Sequence, residues 1–240
     1  MNDIRRLASA ASNRMGPLRS IFALGGVQAV PVSVIRATKV VVDMRVLALL
    51  CARLCHELSG PIAAVHNGIE LLADEDRVFA DDAAELIGFS ARQAAARLQF
   101  YRFAYGFSDG VGSAAQPLDL AERLFDGSRI TSEYGAGGAG LPLPWQKLVC
   151  NLLLVAADAL PRGGRLVLTP AILEIEAIGE APYLSRETLA AMTLAAPVDV
   201  LTSRTVQAYF AGLLAASLGC RLVGSVEPGR VRLAAVIPTD

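Results

Sequence analysis

Histidine is the scarcest of the chemistry-bearing residues in this 240-residue chain, which has only His56 and His66. A site built from several histidine ligands is excluded, and any histidine chemistry has two candidates. Cysteine is nearly as scarce. Cys51, Cys55, Cys150 and Cys220 lie in apolar stretches, and no pairs stand at zinc-finger spacing. Four are too few for a disulfide-built scaffold, so buried free thiols are expected. Cys51, Cys55 and His56 offer three soft ligands on one segment without a fourth, and no metal site is expected. An excess of charge is missing too: 22 Lys and Arg stand against 23 Asp and Glu, a net of -1. That argues against a dedicated nucleic-acid binder, which depends on a basic surface. Charges and prolines interrupt every apolar run before 18 residues, so no membrane-crossing helix is expected. What the chain has in plenty is hydrophobic side chains, at 53%. That supply can bury a core and argues against disorder.

Residues 1–43 differ from the rest, with six basic side chains against two acidic ones, Asp3 and Asp43. The uncharged stretch from Ile21 to Ile35 is broken by Gly25, Gly26, Gln28 and Pro31, unlike the apolar core of an export signal. A flexible extension, or a region upstream of a start at Met44, is expected for 1–43, and a cytoplasmic location for the protein.

From Arg45 the pattern turns helical. Leu47, Leu50, Leu54, Leu58, Ile62, Val65, Ile69 and Leu72 recur at steps of three and four. Asp74 to Arg77 interrupts the pattern, and a second helical stretch runs from Ala80 to Phe107 with Asp81 and Asp82 in its first turn. The expectation for 44–107 is an antiparallel hairpin whose apolar faces exceed what two helices can cover, so that two copies form a four-helix bundle. Residues 108–117 read as a linker. From 118 to 240 the pattern mixes helices (118–125, 144–160, 185–192, 203–218) with strands (129–134, 165–169, 172–178, 221–226, 230–237). The fold class is α+β, with helices on one face of a mixed sheet.

His56 stands in Cys55-His56-Glu57-Leu58-Ser59-Gly60-Pro61. At about 100° per residue its helical stripe holds Ser59, Gly60, Ala63 and Asn67, away from Leu54, Leu58, Ile62 and Val65. Gly60 and Pro61 cost a helix interior about 1 and 3 kcal/mol. Pro61 cannot donate to the carbonyl of Glu57, so a local kink is expected. An imidazole titrates near about 6.5, so at neutral pH a ring nitrogen is free to act as a nucleophile, and Glu57 can orient or deprotonate it. Two readings stand on the residues alone: a phosphoryl-accepting histidine, or an incidental surface histidine beside a kink. His66, about 80° further round, lacks such a setting and reads as a semi-buried or interface residue.

The segment His56-Glu57-Leu58-Ser59-Gly60-Pro61 resembles the phosphoacceptor box of sensor histidine kinases, on the first helix of a dimerisation hairpin. Residues 118–240 resemble the kinase ATP-binding module, an α/β sandwich, with Asn151 where its first asparagine falls. The second asparagine, which helps hold Mg²⁺ in the kinases, is Val155 here. The loop that reads adenine corresponds to Ala177-Ile178-Gly179-Glu180-Ala181, without its aspartate. The phosphate-cradling segment falls at Val198 to Arg204, without glycine. A kinase-like hairpin followed by a lobe stripped of its nucleotide site resembles the ChpT-type histidine phosphotransferases of the alphaproteobacterial cell-cycle relay, over residues 45–240.

That resemblance implies a histidine phosphotransferase that takes phosphoryl from the receiver aspartate of a hybrid histidine kinase. It passes the group to response regulators, CtrA-like and CpdR-like, without using ATP. It implies His56 as the phosphoacceptor, with Glu57 the other catalytic residue from its place beside the ring. Ser59, Gly60, Ala63 and Asn67, on the same stripe, are the expected docking residues, and Arg97 on the second helix is a weaker candidate whose favoured reading is a solvated helix face. It also implies a homodimer with no cofactor of its own, Mg²⁺ being held by the receiver, and neither a nucleic-acid nor a membrane partner. The alternatives are a divergent ATP-dependent histidine kinase and a non-catalytic dimeric adaptor.

Overall fold

The structure, a computed structural model, describes residues 41–73, 79–106, 117–135 and 141–237. Most of the N-terminal extension, the 74–77 connection and most of the 108–117 linker lie outside the described residues. Two long helices, α1 (Met44–Ala73) and α2 (Ala80–Tyr105), pack along each other. The apolar steps and the acidic first turn of α2 place them where the periodicity predicts. Gly68 explains itself by packing: a Cβ there would stand 2.6 Å from Ile87 Cγ1, so the glycine lets the helices close up. α1 is long and apolar enough to cross a membrane by length and composition, contrary to the expectation from uninterrupted runs, yet it is one arm of this hairpin.

The lobe begins with α3 (Pro117–Phe125) and β1 (Ile130–Tyr134). Then come α4 (Leu143–Asp158), β2 (Gly164–Thr169) and β3 (Glu174–Ile178). It closes with α5 (Arg186–Met192), α6 (Val206–Ser217), β4 (Arg221–Glu227) and β5 (Arg230–Val236). The five strands form one sheet in the order β1-β2-β3-β5-β4. β1 and β2 are parallel, joined through α4, and the other neighbours are antiparallel. The β4–β5 hairpin turns at Pro228-Gly229, where Gly229 takes a φ of +72°.

Alternation along the strands sorts the sheet's two faces. Leu166, Leu168, Ile175, Ala177, Val231 and Leu233 point into the core beneath α4 and α6. The other face carries ion pairs, Arg165 with Glu133 and both Arg230 and Arg232 with Glu176. Two expected boundaries shift. Pro170–Ile172 forms a 3-10 turn before β3, and α6 starts at Val206, behind a Thr202–Thr205 turn. Hairpin and lobe share one core: Val46, Leu50, Phe100, Tyr101 and Ala104 are buried in the same cluster as Trp145, Leu148 and Leu152.

Candidate functional site

The apolar positions of α1 divide into two strips. Val46 and Leu50 are buried toward α2 and the lobe, whereas Leu47, Ile62, Ile69 and Leu72 are exposed, and Leu98 on α2 joins them. Only 17% of the most apolar 18-residue window of α1 is buried. His56 lies on a third side. It is exposed, and Ser59, Gly60, Ala63 and Asn67 of the same stripe are exposed with it. A Cβ built on Gly60 meets nothing within 4 Å, so the helix backbone is open to an approaching surface there.

The helix runs continuously through Pro61. Two residues before it, the Ser59 hydroxyl donates to the carbonyl oxygen of Cys55, one turn back, at 2.7 Å. Glu57 is half-buried and turned by about 100° from His56. Its charge acts on Tyr101 and Asp158 in the seam between hairpin and lobe.

Several side chains stand differently from expectation. Cys51 and Cys55 are exposed, because their angular positions face the open strip, while Cys150 and Cys220 are buried as expected. His66 is exposed and has a carboxylate partner one turn on, with Nε2 3.3 Å from Oε1 of Glu70. Arg97, half-buried, is engaged within α2: its Nη1 donates to Gln93 Oε1 at 2.6 Å, and Gln93 Nε2 in turn donates to the carbonyl of Asp126 at 2.6 Å. Among the described residues, no three His, Cys, Asp or Glu side chains converge as metal ligands would.

In the lobe, three of the positions matched above to a nucleotide site, Asn151, Val155 and Ala177, are buried, whereas Ala181, Asp199 and Val200 are exposed. Asn151 is fully buried. Its amide nitrogen donates to the carbonyls of Ala104 on α2 (3.0 Å) and Lys147 (2.8 Å), and its oxygen accepts from Gln207 Nε2 at 2.8 Å. Gln207 accepts in turn from the Tyr105 hydroxyl, and Lys147 Nζ donates to the carbonyl of Gly106. The asparagine thus ties α4 and α6 to the end of α2. Sequence patterns do not reveal this role, which depends on partners 47 and 56 residues away.

Val155 and Ala177 are buried and contribute no polar atom. Ala181 has a φ of +52°, a left-handed conformation that suits glycine. The segment aligned with the phosphate cradle is a 3-10 turn, Val198–Val200. Arg45 pins it to α1 by donating from Nε to the Val198 carbonyl (3.1 Å) and from Nη2 to that of Leu201 (3.0 Å). A cavity of about 900 Å³ remains between the end of α4 and residues 183–205, with Arg53, Asp158, Tyr183 and Arg204 in its lining.

Comparison with known proteins agrees with this geometry. Residues 116–229 match the family described as histidine phosphotransferase C-terminal domain. The protein phosphotransferase ChpT of Brucella abortus (strain 2308) is 35% identical over 191 residues, 73% of this chain and 87% of that protein. A solved structure described as a bacterial phosphotransferase covers 83% of this chain and 100% of its own, at 30% identity and a TM-score of 0.67. The hairpin and the α+β lobe thus find their counterparts among phosphotransferases, and the chain belongs to the ChpT-type histidine phosphotransferases.

Proposed function

We propose that His56 is the phosphoacceptor of a phosphorelay in which this chain works as a homodimer. The observation that carries the reading is the exposed stripe of α1, where His56 is flanked by Ser59, Gly60, Ala63 and Asn67 and the backbone at Gly60 is open. A neutral imidazole nitrogen of His56 attacks the phosphorus of an acyl phosphate on an incoming receiver. The N–P bond forms as the O–P bond to the aspartate breaks, and the carboxylate leaves. The second transfer runs the same exchange in reverse, to the aspartate of another receiver. Mg²⁺ on the receiver supplies charge neutralisation, while this chain supplies nucleophile, orientation and docking surface. Glu57 is read as the group that orients the ring once the receiver is docked, and Ser59, Gly60, Ala63 and Asn67 form the surface on which the receiver settles.

The donors are read as the receiver of a hybrid histidine kinase and the acceptors as CtrA-like and CpdR-like regulators of the cell cycle, in the cytoplasm. The second copy covers the strip of Leu47, Ile62, Ile69, Leu72 and Leu98, on a side of the hairpin away from His56.

The test is phosphotransfer from a phosphorylated receiver to wild type, His56→Ala and His66→Ala, with sedimentation of each protein. The expected result is transfer by a dimeric wild type and His66→Ala, and its complete loss in His56→Ala. Transfer retained by His56→Ala overturns the assignment. Labelling of His56 by ATP alone would instead identify a kinase.

A further inference from the structure

The lobe meets the hairpin one helical turn from His56. Arg53 precedes His56 by three residues on α1, about 4.5 Å along the axis and about 60° around it. Its side chain is only 10% exposed. Nη2 donates to both carboxylate oxygens of Asp158, at 2.9 and 2.8 Å, at the C-terminal end of α4. The Tyr101 hydroxyl of α2 lies beside the same guanidinium. Burial opposes the charge of Arg53, but Asp158 outweighs it, so the guanidinium is held charged more firmly than usual. Two turns earlier, Arg45 bonds the Val198 and Leu201 carbonyls. Two arginines of the helix that carries His56 therefore grip the lobe at separate places.

The pair is enclosed on the arginine side only, the Asp158 side chain being 45% exposed. It is a weak source of net stability, since the water lost by Arg53 offsets most of the attraction. Its strength is that without Asp158 the enclosed Arg53 charge is uncompensated, so the seam closes in one arrangement. A receiver domain of ~120 residues has a radius of gyration near ~14 Å. If its aspartate is brought to His56, its body overlies lobe atoms only one turn away. The placing of the lobe then decides how well the receiver seats.

Resting on the reading of His56 as phosphoacceptor, we propose that Arg53, through Asp158, is a positioning residue that fixes the lobe beside His56 so that a receiver docks on hairpin and lobe together. It touches neither the phosphoryl group nor the receiver.

The experiment measures transfer against receiver concentration for wild type, Arg53→Leu, Asp158→Leu, the double Leu variant and Arg53→Lys. Labelling of His56 by phosphoramidate, a small donor that needs no docking surface, is followed in parallel. Each single Leu variant is expected to raise KM about tenfold, while kcat and phosphoramidate labelling change less than about twofold. The double variant is expected to recover to within about threefold of wild type, because two apolar side chains close the seam without a stranded charge. Arg53→Lys, which keeps the charge, falls between wild type and Arg53→Leu. It carries the same comparison should a Leu variant fail to fold by circular dichroism. Unchanged KM in the singles or in Arg53→Lys overturns the proposal. So does a loss of kcat in step with phosphoramidate labelling, which would put Arg53 in the chemistry of His56. A double variant no better than the singles also overturns it, because the charges would then be touching the receiver. If phosphoramidate fails to label wild type at His56, the phosphoacceptor reading falls, and the proposal with it.

Discussion

In α1 four of thirty residues are buried, Val46, Leu50, Arg53 and Gly68; in α4 ten of sixteen are, including every residue from Leu148 to Ala156. The hairpin holds its special residues at the surface, on an open stripe and beside an uncovered apolar strip. The lobe has drawn its special positions inward, with Asn151 bonded to the hairpin and Val155 and Ala177 turned into core. The contrast teaches that the two regions use polar side chains in opposite ways. On the hairpin they stand where another surface can reach them, whereas in the lobe an enclosed polar group persists only where it is fully hydrogen-bonded.

The largest effect that can break this comparison comes from truncating one aliphatic side chain in each region. Leu152→Ala, in the fully buried heart of α4, is expected to cost roughly 2–5 kcal/mol in denaturant unfolding. Ile62→Ala, at 57% exposure, is expected to leave monomer stability nearly unchanged and to weaken self-association measured by sedimentation. Equal costs from the two would mean that the strip on α1 is already covered within one chain.

Next in size is Asn151→Ala, expected to cost about 2–3 kcal/mol because it strands the amide of Gln207 and the carbonyl of Ala104. Hydrogen exchange should quicken at the end of α2 and in α6 together. Exchange faster in α6 alone would show that the asparagine serves the lobe and not the seam.

The seam also predicts a response to alkali. Burial, with the charge of Glu57 as the second cause, pushes the Tyr101 hydroxyl up to about 12, against about 10 for an exposed tyrosine. The unfolded chain therefore loses this proton first. The contribution of Tyr101 is complete below pH ~10 and is lost as pH rises toward ~12. Burial pushes Cys220 in the lobe up to about 11, in the same sense. Urea midpoints should begin to fall near pH ~9, where the unfolded thiols ionise first, and fall more steeply beyond pH ~10, and Tyr101→Phe should shrink the steeper part.

The smallest effect concerns Ala181. Glycine at its left-handed backbone removes a strain of roughly 1–2 kcal/mol but adds freedom to the unfolded chain, so Ala181→Gly should stabilise by at most about 1 kcal/mol. A thermal melt that moves down instead would show that the methyl group is needed for packing.

Most of the elements were legible in the sequence, because periodicity of three and four, then of two, follows directly from which face is covered. The stripe of His56 was legible for the same reason, as an angular relation among Ser59, Gly60, Ala63 and Asn67 within one helix. What escaped depends on distant parts of the chain. A continuous list of leucines cannot say that α1 has two apolar strips, one covered by α2 and the lobe and one not. Nor can it say that Cys51 and Cys55 fall on the open side. The pairing of Arg53 with Asp158 spans 105 residues, and Asn151 looked like a surviving remnant until its partners on α2 and α6 were visible. The two helical glycines, alike in the sequence, differ in their surroundings: Gly68 meets Ile87 and Gly60 meets nothing.

Both amide hydrogens of Asn151 are committed, one of them to the backbone of the hairpin. New polar residues at Val155 and Ala177 would therefore not recruit this asparagine as a ligand, because freeing it would loosen the joint between the two halves of the molecule. Asn151 works as a rivet: it holds a helix of the hairpin and two of the lobe at once, and pulling it would be felt in all three.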